Sequence, residues 1–263
     1  MKDQSMDAPP TVKAMKVNRF LPYWAVYQAD LKQTLRSWLY RLWVLLSLGL
    51  ALGYLLYRYG AKQVGGFETQ ASDLMSQLIN WIGLGSVTLI IVLTAGSISS
   101  ERGTAADSVL SRGISRFQYF LGKWHARLTA ILGTFFVMGV IILTASLCML
   151  HGDNLKIMGA VMALTAVTAI LAAVITCGVT VSAITNTTLV SIAIGWIVVN
   201  AAGFVLSLMP AAYPTPDRIL KNIPYILQGH YEVNAIGRLI LASMGVSFVA
   251  ALIGMFCFSR RDV

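Results

Sequence analysis

Residues 157–216 read IMGAVMALTAVTAILAAVITCGVTVSAITNTTLVSIAIGWIVVNAAGFVLSLMPAAYPTP, a run of 60 residues without one charged side chain. A water-soluble domain keeps charged residues on its surface, and this run has none to place there. A helix of about 20 apolar residues spans the hydrocarbon core of a bilayer. The run is therefore long enough for two membrane-spanning helices, and the polar stretch SAITNTT at 182–188 marks the turn between them.

The same pattern recurs along the rest of the chain. Apolar residues make up 57% and charged residues only 12% of the sequence, outside the usual range of soluble domains. The charge-free stretches predict an all-α membrane protein with six transmembrane helices in one domain, 38–263, after a flexible cytoplasmic N-terminus, 1–18, and an interfacial helix, 19–37. The first apolar stretch lacks a small-residue cleavage site, which argues against a removed signal peptide. The six predicted helices are 38–58, 78–99, 128–150, 157–181, 188–209 and 239–258.

The distribution of positive charge predicts the orientation in the membrane. Of the 20 Lys and Arg residues, 14 lie before or at the start of the first predicted helix, between the second and third, or at the C-terminus. Because cytoplasmic segments are enriched in Lys and Arg, both termini are predicted to be cytoplasmic. This asymmetry, with attraction to anionic lipid headgroups, explains the net charge of +9 without a nucleic-acid partner.

The predicted spans offer few groups for chemistry. Their middles lack Asp, Glu, Lys, Arg and His, so they offer no ionisable side chains for a proton relay. Cys148, Cys177 and Cys257 are widely separated and indicate packing rather than a disulfide or a metal site. No Gly-x-x-x-x-Gly-Lys-Ser/Thr phosphate loop and no membrane-hydrolase motif occurs. We therefore expect no enzyme activity, cofactor or metal in this chain, and the energy for any transport must come from another subunit.

The loop between the second and third predicted helices contains a helix-start signal. Thr104 and Asp107 have the spacing of a capping box, and Asp107 also favours the positive end of a helix. They predict a short cytoplasmic helix over 105–111, with Val109 and Leu110 as its apolar contacts. A short helix outside the membrane suits docking into a groove on a partner. A solvated connector with a capped turn is the alternative, and the local pattern does not separate the two.

Four short motifs follow one another in this loop: Glu101-x-Gly103-Thr104, Val109-Leu110-Ser111, Ile114-Ser115-Arg116 and Leu121-Gly122-Lys123. In this order they resemble the segment after the second span of ABC-2 type exporter permeases, which forms the coupling helix region on the nucleotide-binding subunit. By span count and loop order, the resemblance covers essentially the whole chain. One departure is Gly113, where many relatives have proline. The ATPase contacts that the resemblance implies are Glu101, Gly103, Thr104, Asp107, Val109, Leu110 and Arg116.

Residues 19–37 have apolar and aromatic side chains at spacings of three and four, with polar residues between them. This pattern predicts an amphipathic helix in the headgroup layer, with its aromatic rings at the interface. The run from Asp30 to Ser37 also resembles the segment before the first span of ABC-2 permeases. The resemblance implies an elbow helix that partly contacts the ATPase, and the residues assigned to it are Trp24, Asp30, Lys32 and Arg36. A membrane anchor without a partner is the simpler interpretation, and the two are compatible.

The segment 210–238 is too long for a simple hairpin, and its four prolines interrupt any helix. Non-helical backbone at membrane depth is tolerated only where protein or a water-filled cavity covers it. The resemblance suggests a re-entrant helix pair between spans five and six that forms an external gate, with Pro224 and Tyr225 as gate residues. The alternative is a surface loop that lies on the bilayer.

The resemblance implies the permease subunit of an ATP-binding cassette transporter of the exporter type in the bacterial cytoplasmic membrane. Its expected partners are membrane lipids, a second permease subunit in a homodimer that meets along spans one, two and five, and an ABC ATPase that binds ATP and Mg²⁺. One alternative is a subunit that passes mechanical work to a periplasmic assembly or maturation partner without bulk transport. Another is a membrane scaffold without an ATPase. The substrate stays open among lipid, peptide, glycan, drug and ion.

Overall fold

The computed structural model describes residues 20–65, 70–100, 114–150, 155–210, 213 and 215–260. Within these residues all regular structure is helical, which confirms the predicted all-α class. The helices are α1 Leu21–Arg36, α2 Trp38–Gly65, α3 Ala71–Ser99, α4 Arg116–Leu150, α5 Ile157–Ile184, α6 Thr188–Ser207, α7 Pro216–Lys221, α8 Ile223–Leu227 and α9 Val233–Arg260.

Six of the described helices, α2, α3, α4, α5, α6 and α9, are long and apolar enough to cross a membrane. This confirms the predicted number of membrane-capable helices and supports a multi-pass membrane protein. Three of them begin earlier than predicted, at Ala71, Arg116 and Val233 rather than at 78, 128 and 239. Hydropathy locates the part of a helix that lies in lipid, but intrahelical hydrogen bonds continue beyond it.

The early start of α4 corrects the predicted loop between the second and third spans. Lys123 and Arg127 were expected in that loop, but both are helical residues near the beginning of α4. At 35 residues, α4 is about 50 Å long, so it exceeds a hydrocarbon core of about 30 Å. Its first turns therefore have room to carry charged residues outside the lipid.

The centre of the bundle consists of α3, α4 and α5. Helix α5 packs against α3, α4 and α9, and α3 also contacts α6. Leu164 and Leu171 of α5 and Ile90 of α3 are almost completely buried in this core. The least buried membrane-capable helices are α6, α9 and α2. Their uncovered faces are apolar, which suits contact with lipid or with another subunit.

Polar contacts between the membrane-capable helices supplement this apolar packing. Such interhelical hydrogen bonds contribute on the order of 1 kcal/mol each within a bilayer. They join Trp43 Nε1 to Ser86 Oγ at 3.1 Å, Trp124 Nε1 to Thr176 Oγ1 at 3.0 Å, and Thr180 Oγ1 to the Ala250 carbonyl at 2.8 Å.

The closest approach of α3 and α5 depends on Gly178. A Cβ atom at this position would lie 2.0 Å from Thr94 Oγ1 and 2.9 Å from Thr94 Cβ. The Thr94 hydroxyl is already engaged, because it donates to the Ile90 carbonyl at 2.7 Å. A side chain at 178 would therefore force the two helices apart.

We expect Gly178→Ala to destabilise the protein by about 1–3 kcal/mol, the usual cost of overpacking a tight contact. The measurement is the midpoint of unfolding in mixed micelles titrated with a denaturing detergent. Gly133→Ala is the matched control, since a Cβ atom there meets no atom within 4 Å. Equal midpoints for the two variants would contradict the packing described for α3 and α5.

Candidate functional site

Helix α1 lies along the beginning of α4 and turns one narrow face towards it. Val26, Asp30 and Thr34 are spaced by four residues, share that face and are all buried. Gly122 of α4 lets α1 come close, because a Cβ atom there would lie 2.9 Å from Val26 Cγ1 and 3.3 Å from the Tyr23 carbonyl oxygen. A charged residue, Asp30, thus lies at the centre of a helix–helix contact.

The Asp30 carboxylate contacts two cations of α4. Lys123 and Arg127 are four residues apart and therefore point to the same side of their helix. Lys123 Nζ lies 3.2 Å from Asp30 Oδ1, and Arg127 Nη2 lies 3.3 Å from the same oxygen. Lys123 Nζ also donates to the carbonyl of Ser97 at 2.8 Å, near the end of α3. We call Asp30, Lys123, Arg127 and the Ser97 carbonyl the Asp30 cluster, and it joins α1, α3 and α4.

The Asp30 cluster is almost completely shielded from solvent. The side chains of Asp30 and Lys123 are 2% and 3% exposed. Arg127 Nε lies 3.1 Å from Asp30 Oδ2, although neither atom has a hydrogen bond of good geometry. We regard this contact as an ion pair, because Coulomb attraction depends on distance far more than on the angle at the donor.

The cluster contains one carboxylate and two cations, so it carries a net positive charge. Lys123 Nζ lies 5.3 Å from the centre of the Tyr119 ring, which adds a weak cation–π attraction. The carboxylate lies within ion-pair distance of both cations. Breaking a buried ion pair by removing one partner costs about 3–5 kcal/mol, because the other charge is left buried.

Exposed aromatic residues lie on α1 and at both of its ends. Trp24 of α1, Phe20 before it and Trp38 at the start of α2 are all more than half exposed, and the rings of Trp24 and Tyr27 stack with their centres 5.1 Å apart. This exposure suits the predicted contact with lipid headgroups. Lys32 and Arg36 are also exposed, so of the four residues assigned to the elbow helix only Asp30 faces the bundle.

Tyr23 adds a second contact between α1 and α4 beside the cluster. Its hydroxyl lies 3.1 Å from Nδ1 of His125. Partial burial, with a smaller contribution from Tyr27, raises the pKa of the Tyr23 hydroxyl. The hydroxyl is therefore protonated at neutral pH and able to donate to this nitrogen.

The end of α3 is also held by the last turn of α5 and by the first residue of α6. Ser182 Oγ accepts hydrogen bonds from the backbone N–H groups of Ile98 at 3.0 Å and Ser99 at 3.1 Å. The Ser99 hydroxyl lies 3.4 Å from that of Thr188, the first residue of α6. The Asp30 cluster and this turn are therefore at one end of the bundle, which we call the Asp30 end.

The coupling role of the predicted ATPase contacts stays a prediction. Glu101, Gly103, Thr104, Asp107, Val109 and Leu110, with the predicted helix 105–111, lie outside the described residues. Arg116 is described as the first residue of α4, and its Nη1 donates to the carbonyl of Ser259 at 3.0 Å. This contact links the beginning of α4 to the last turn of α9 at the Asp30 end.

At the opposite end, the short helices α7 and α8 are joined at Asn222. We call residues 216–229 the hairpin. Its prolines stand in the first turn of each helix, where a missing N–H costs little. The hairpin lies against α5 without intervening side chains. A Cβ atom on Gly159 would lie 2.2 Å from the Ile226 carbonyl oxygen, and the Lys156 N–H donates to the Leu227 carbonyl at 2.9 Å.

The hairpin is also fixed to α3 and to the Lys156 side chain. Gln228 Nε2 donates to Ser72 Oγ at 3.2 Å. Gly229 has a φ of +87°, and a Cβ atom there would lie 2.4 Å from Lys156 Cδ. The two predicted gate residues lie on this hairpin, where Pro224 is half-buried and Tyr225 is exposed.

Sequence analysis missed the partners of Asp30. Lys123 and Arg127 stand 93 and 97 residues away along the chain, and both had been placed in a loop. One signal was available, since two cations four residues apart just before a long apolar run are typical of one helix face.

No metal site or relative identifies this arrangement. In the part of the chain that the structure describes, no three His, Cys, Asp or Glu side chains come together to hold a metal ion. The chain matches no known protein-family model and no curated protein. The architecture therefore defines the class, an all-helical protein with six membrane-capable helices.

Because the Asp30 cluster holds one carboxylate and two cations, we expect replacement of its members to destabilise the protein by different amounts. Asp30→Asn removes the carboxylate that both buried cations contact, so we expect a loss of about 3–5 kcal/mol in the free energy of unfolding. Arg127→Gln leaves a neutral Asp30–Lys123 pair, so its loss should be clearly smaller. Unfolding midpoints in mixed micelles measure both.

Asp217→Asn is the control for these two variants. Asp217 pairs with Lys221 at 2.7 Å, and both side chains are more than half exposed. Removing such an exposed pair should change the stability by less than about 1 kcal/mol. Equal destabilisation by Arg127→Gln and Asp30→Asn would contradict the charge balance described for the cluster.

Proposed function

We propose that this chain is the permease subunit of an ATP-binding cassette transporter of the exporter type. The sequence has no phosphate-loop motif, so the proposal assigns ATP and Mg²⁺ binding to a separate ATPase chain. In this proposal the Asp30 end faces the cytoplasm and receives the movement of the ATPase. The resemblance of the segment 99–127 to the coupling region of ABC-2 permeases supports this assignment.

The observation that carries the proposal is the Asp30 cluster. Separating its charges costs several kcal/mol, so α1, α3 and α4 are expected to move together at this end rather than slide past one another. The segment 101–113 connects the end of α3 to the beginning of α4, and these two helix ends carry residues of the cluster. A push on that segment, or on α1 as an elbow helix, would therefore reach both flanking helices.

Other contacts at the Asp30 end extend this connection to the remaining helices. Ser182 links α3 to the last turn of α5. Arg116 links α4 to α9 through the Ser259 carbonyl, and the rings of Tyr119 and Phe258 stack with centres 5.9 Å apart beside it. These contacts support a mechanism in which the Asp30 end tilts as one unit.

The hairpin of α7 and α8 would convert this tilt into opening at the far end. It is attached to α5 by the Lys156–Leu227 hydrogen bond and to α3 by the Gln228–Ser72 hydrogen bond. Both helices run from the Asp30 end to the hairpin, so their tilt would carry the hairpin with them. In this proposal Pro224 and Tyr225 belong to an external gate.

A homodimer of such permeases needs a free apolar surface. Helices α2 and α6 provide one, because Leu45, Leu46 and Ile197 are each more than 60% exposed. A second permease subunit would cover part of this surface, and membrane lipids would cover the rest.

The first test is co-purification in mild detergent, followed by an ATPase assay of the complex with candidate cargoes. We expect an ATPase subunit to accompany the chain. Glu101→Ala and Asp107→Arg should uncouple ATP hydrolysis from transport while the complex still assembles, because both changes lie in the proposed contact segment. Transport and ATP hydrolysis are measured on the same proteoliposomes.

Asp217→Asn serves as the control, because it removes a charge far from the Asp30 end and should leave coupling unchanged. Normal coupling in both Glu101→Ala and Asp107→Arg would refute the assignment of this segment. Purification of the chain without any ATPase would favour a membrane scaffold instead.

The attachment of the hairpin also favours a second function, transmission of mechanical work to a periplasmic partner. Tyr225 is 62% exposed on a hairpin that is fixed to α3 and α5. Movement of these helices would therefore move an exposed aromatic side chain outside the bundle. A periplasmic protein that cross-links to the hairpin, together with no substrate flux, would select this function over transport.

A further inference from the structure

A cavity of about 450 Å³ lies between the hairpin and the beginning of α9. Its size falls within the range of about 300–1,000 Å³ that is typical of small-molecule sites in proteins. The cavity is at the end of the bundle opposite the Asp30 cluster. Tyr225 of the proposed external gate lines it, whereas the residues of the Asp30 cluster do not.

The lining combines an apolar base with an aromatic and polar rim. Ile219, Ile226 and Ile236 form the base and are nearly completely buried. The remaining polar or aromatic lining residues are Asn222, Tyr225, His230, Tyr231 and Glu232. Such a division between apolar surface and a few polar groups is characteristic of ligand sites.

The charge of this lining is negative. Glu232 brings a carboxylate, and no Lys or Arg is among the described lining residues. Within the described part of the chain, neither the Glu232 carboxylate nor the hydroxyls of Tyr225 and Tyr231 have a hydrogen-bond or ion-pair partner. These groups are therefore available to a ligand.

Backbone hydrogen bonds hold the rim of the cavity. The His230 N–H donates to the Tyr225 carbonyl at 2.9 Å, which fixes the turn that follows α8. The Lys156–Leu227 hydrogen bond and the close packing of Gly229 on Lys156 hold the same turn against α5. A preformed site avoids the ordering cost that weakens binding to a flexible loop.

We infer that this cavity binds an apolar organic cation, with Tyr225 and Tyr231 facing its hydrocarbon groups and Glu232 facing its charge. Aromatic faces attract cations through the ring quadrupole, and the Glu232 carboxylate strengthens that preference. A buried apolar base selects against small hydrated cations such as Na⁺. The inference does not depend on the proposed transport function, because binding requires neither ATP nor a partner chain.

The test uses tetraphenylphosphonium as the probe and the purified full-length chain in detergent. Tetraphenylborate has nearly the same shape and the opposite charge, so it controls for partition into the micelle. We expect saturable binding of tetraphenylphosphonium in equilibrium dialysis and no saturable binding of tetraphenylborate. No saturable binding of the phosphonium ion, or equal binding of both ions, would overturn the inference.

Glu232→Gln keeps the shape of the side chain and removes its charge. We expect it to weaken tetraphenylphosphonium binding by at least about threefold, the effect of one nearby charge at a partly hydrated site. Asp217→Asn removes one charge from the same hairpin outside the lining and should leave the affinity unchanged. Equal affinities of Glu232→Gln and the unchanged protein, at equal unfolding midpoints, would also overturn the inference.

Discussion

The structure depends on one constraint, the need to compensate the charge of Asp30 after it is buried. An isolated carboxylate in a bundle of apolar helices is expensive, and Lys123 and Arg127 bring cations to it. This requirement fixes the rotation of α1, so that Asp30 faces the bundle while Trp24, Lys32 and Arg36 are exposed. A surface helix of a soluble protein usually turns its apolar residues inwards and its charged residues outwards.

Close backbone contacts turn this local constraint into a property of the whole bundle. Gly122, Gly178 and Gly159 each stand where a side chain would collide with the neighbouring helix, at the contacts of α1 with α4, α3 with α5, and the hairpin with α5. Close-packed contacts of this kind transmit displacement instead of absorbing it. The Asp30 end and the hairpin are thus connected through α3 and α5, which supports a role in which movement at one end acts at the other.

The sequence predicted what depends on local composition, and it could not predict what depends on long-range pairing. Charge-free runs located six membrane-capable helices, because the length and composition of each run are local properties. The pairing of Asp30 with Lys123 joins residues 93 positions apart, and hydropathy placed Lys123 in a loop because a charged residue ends an apolar window. The contacts of Glu101 and Asp107, which lie outside the described residues, and the gate role of Tyr225 stay predictions, since both depend on partners or movements.

In the proposed function the Asp30 end faces the cytoplasm, where an ATPase could act on it. Labelling of single cysteines with a membrane-impermeant maleimide in intact cells tests this most directly, in a background from which Cys148, Cys177 and Cys257 have been replaced. We expect Ser108→Cys to stay unlabelled until the cytoplasmic membrane is opened, and Lys221→Cys on the hairpin to be labelled from outside. Labelling of Ser108→Cys in intact cells would contradict the cytoplasmic orientation of the Asp30 end.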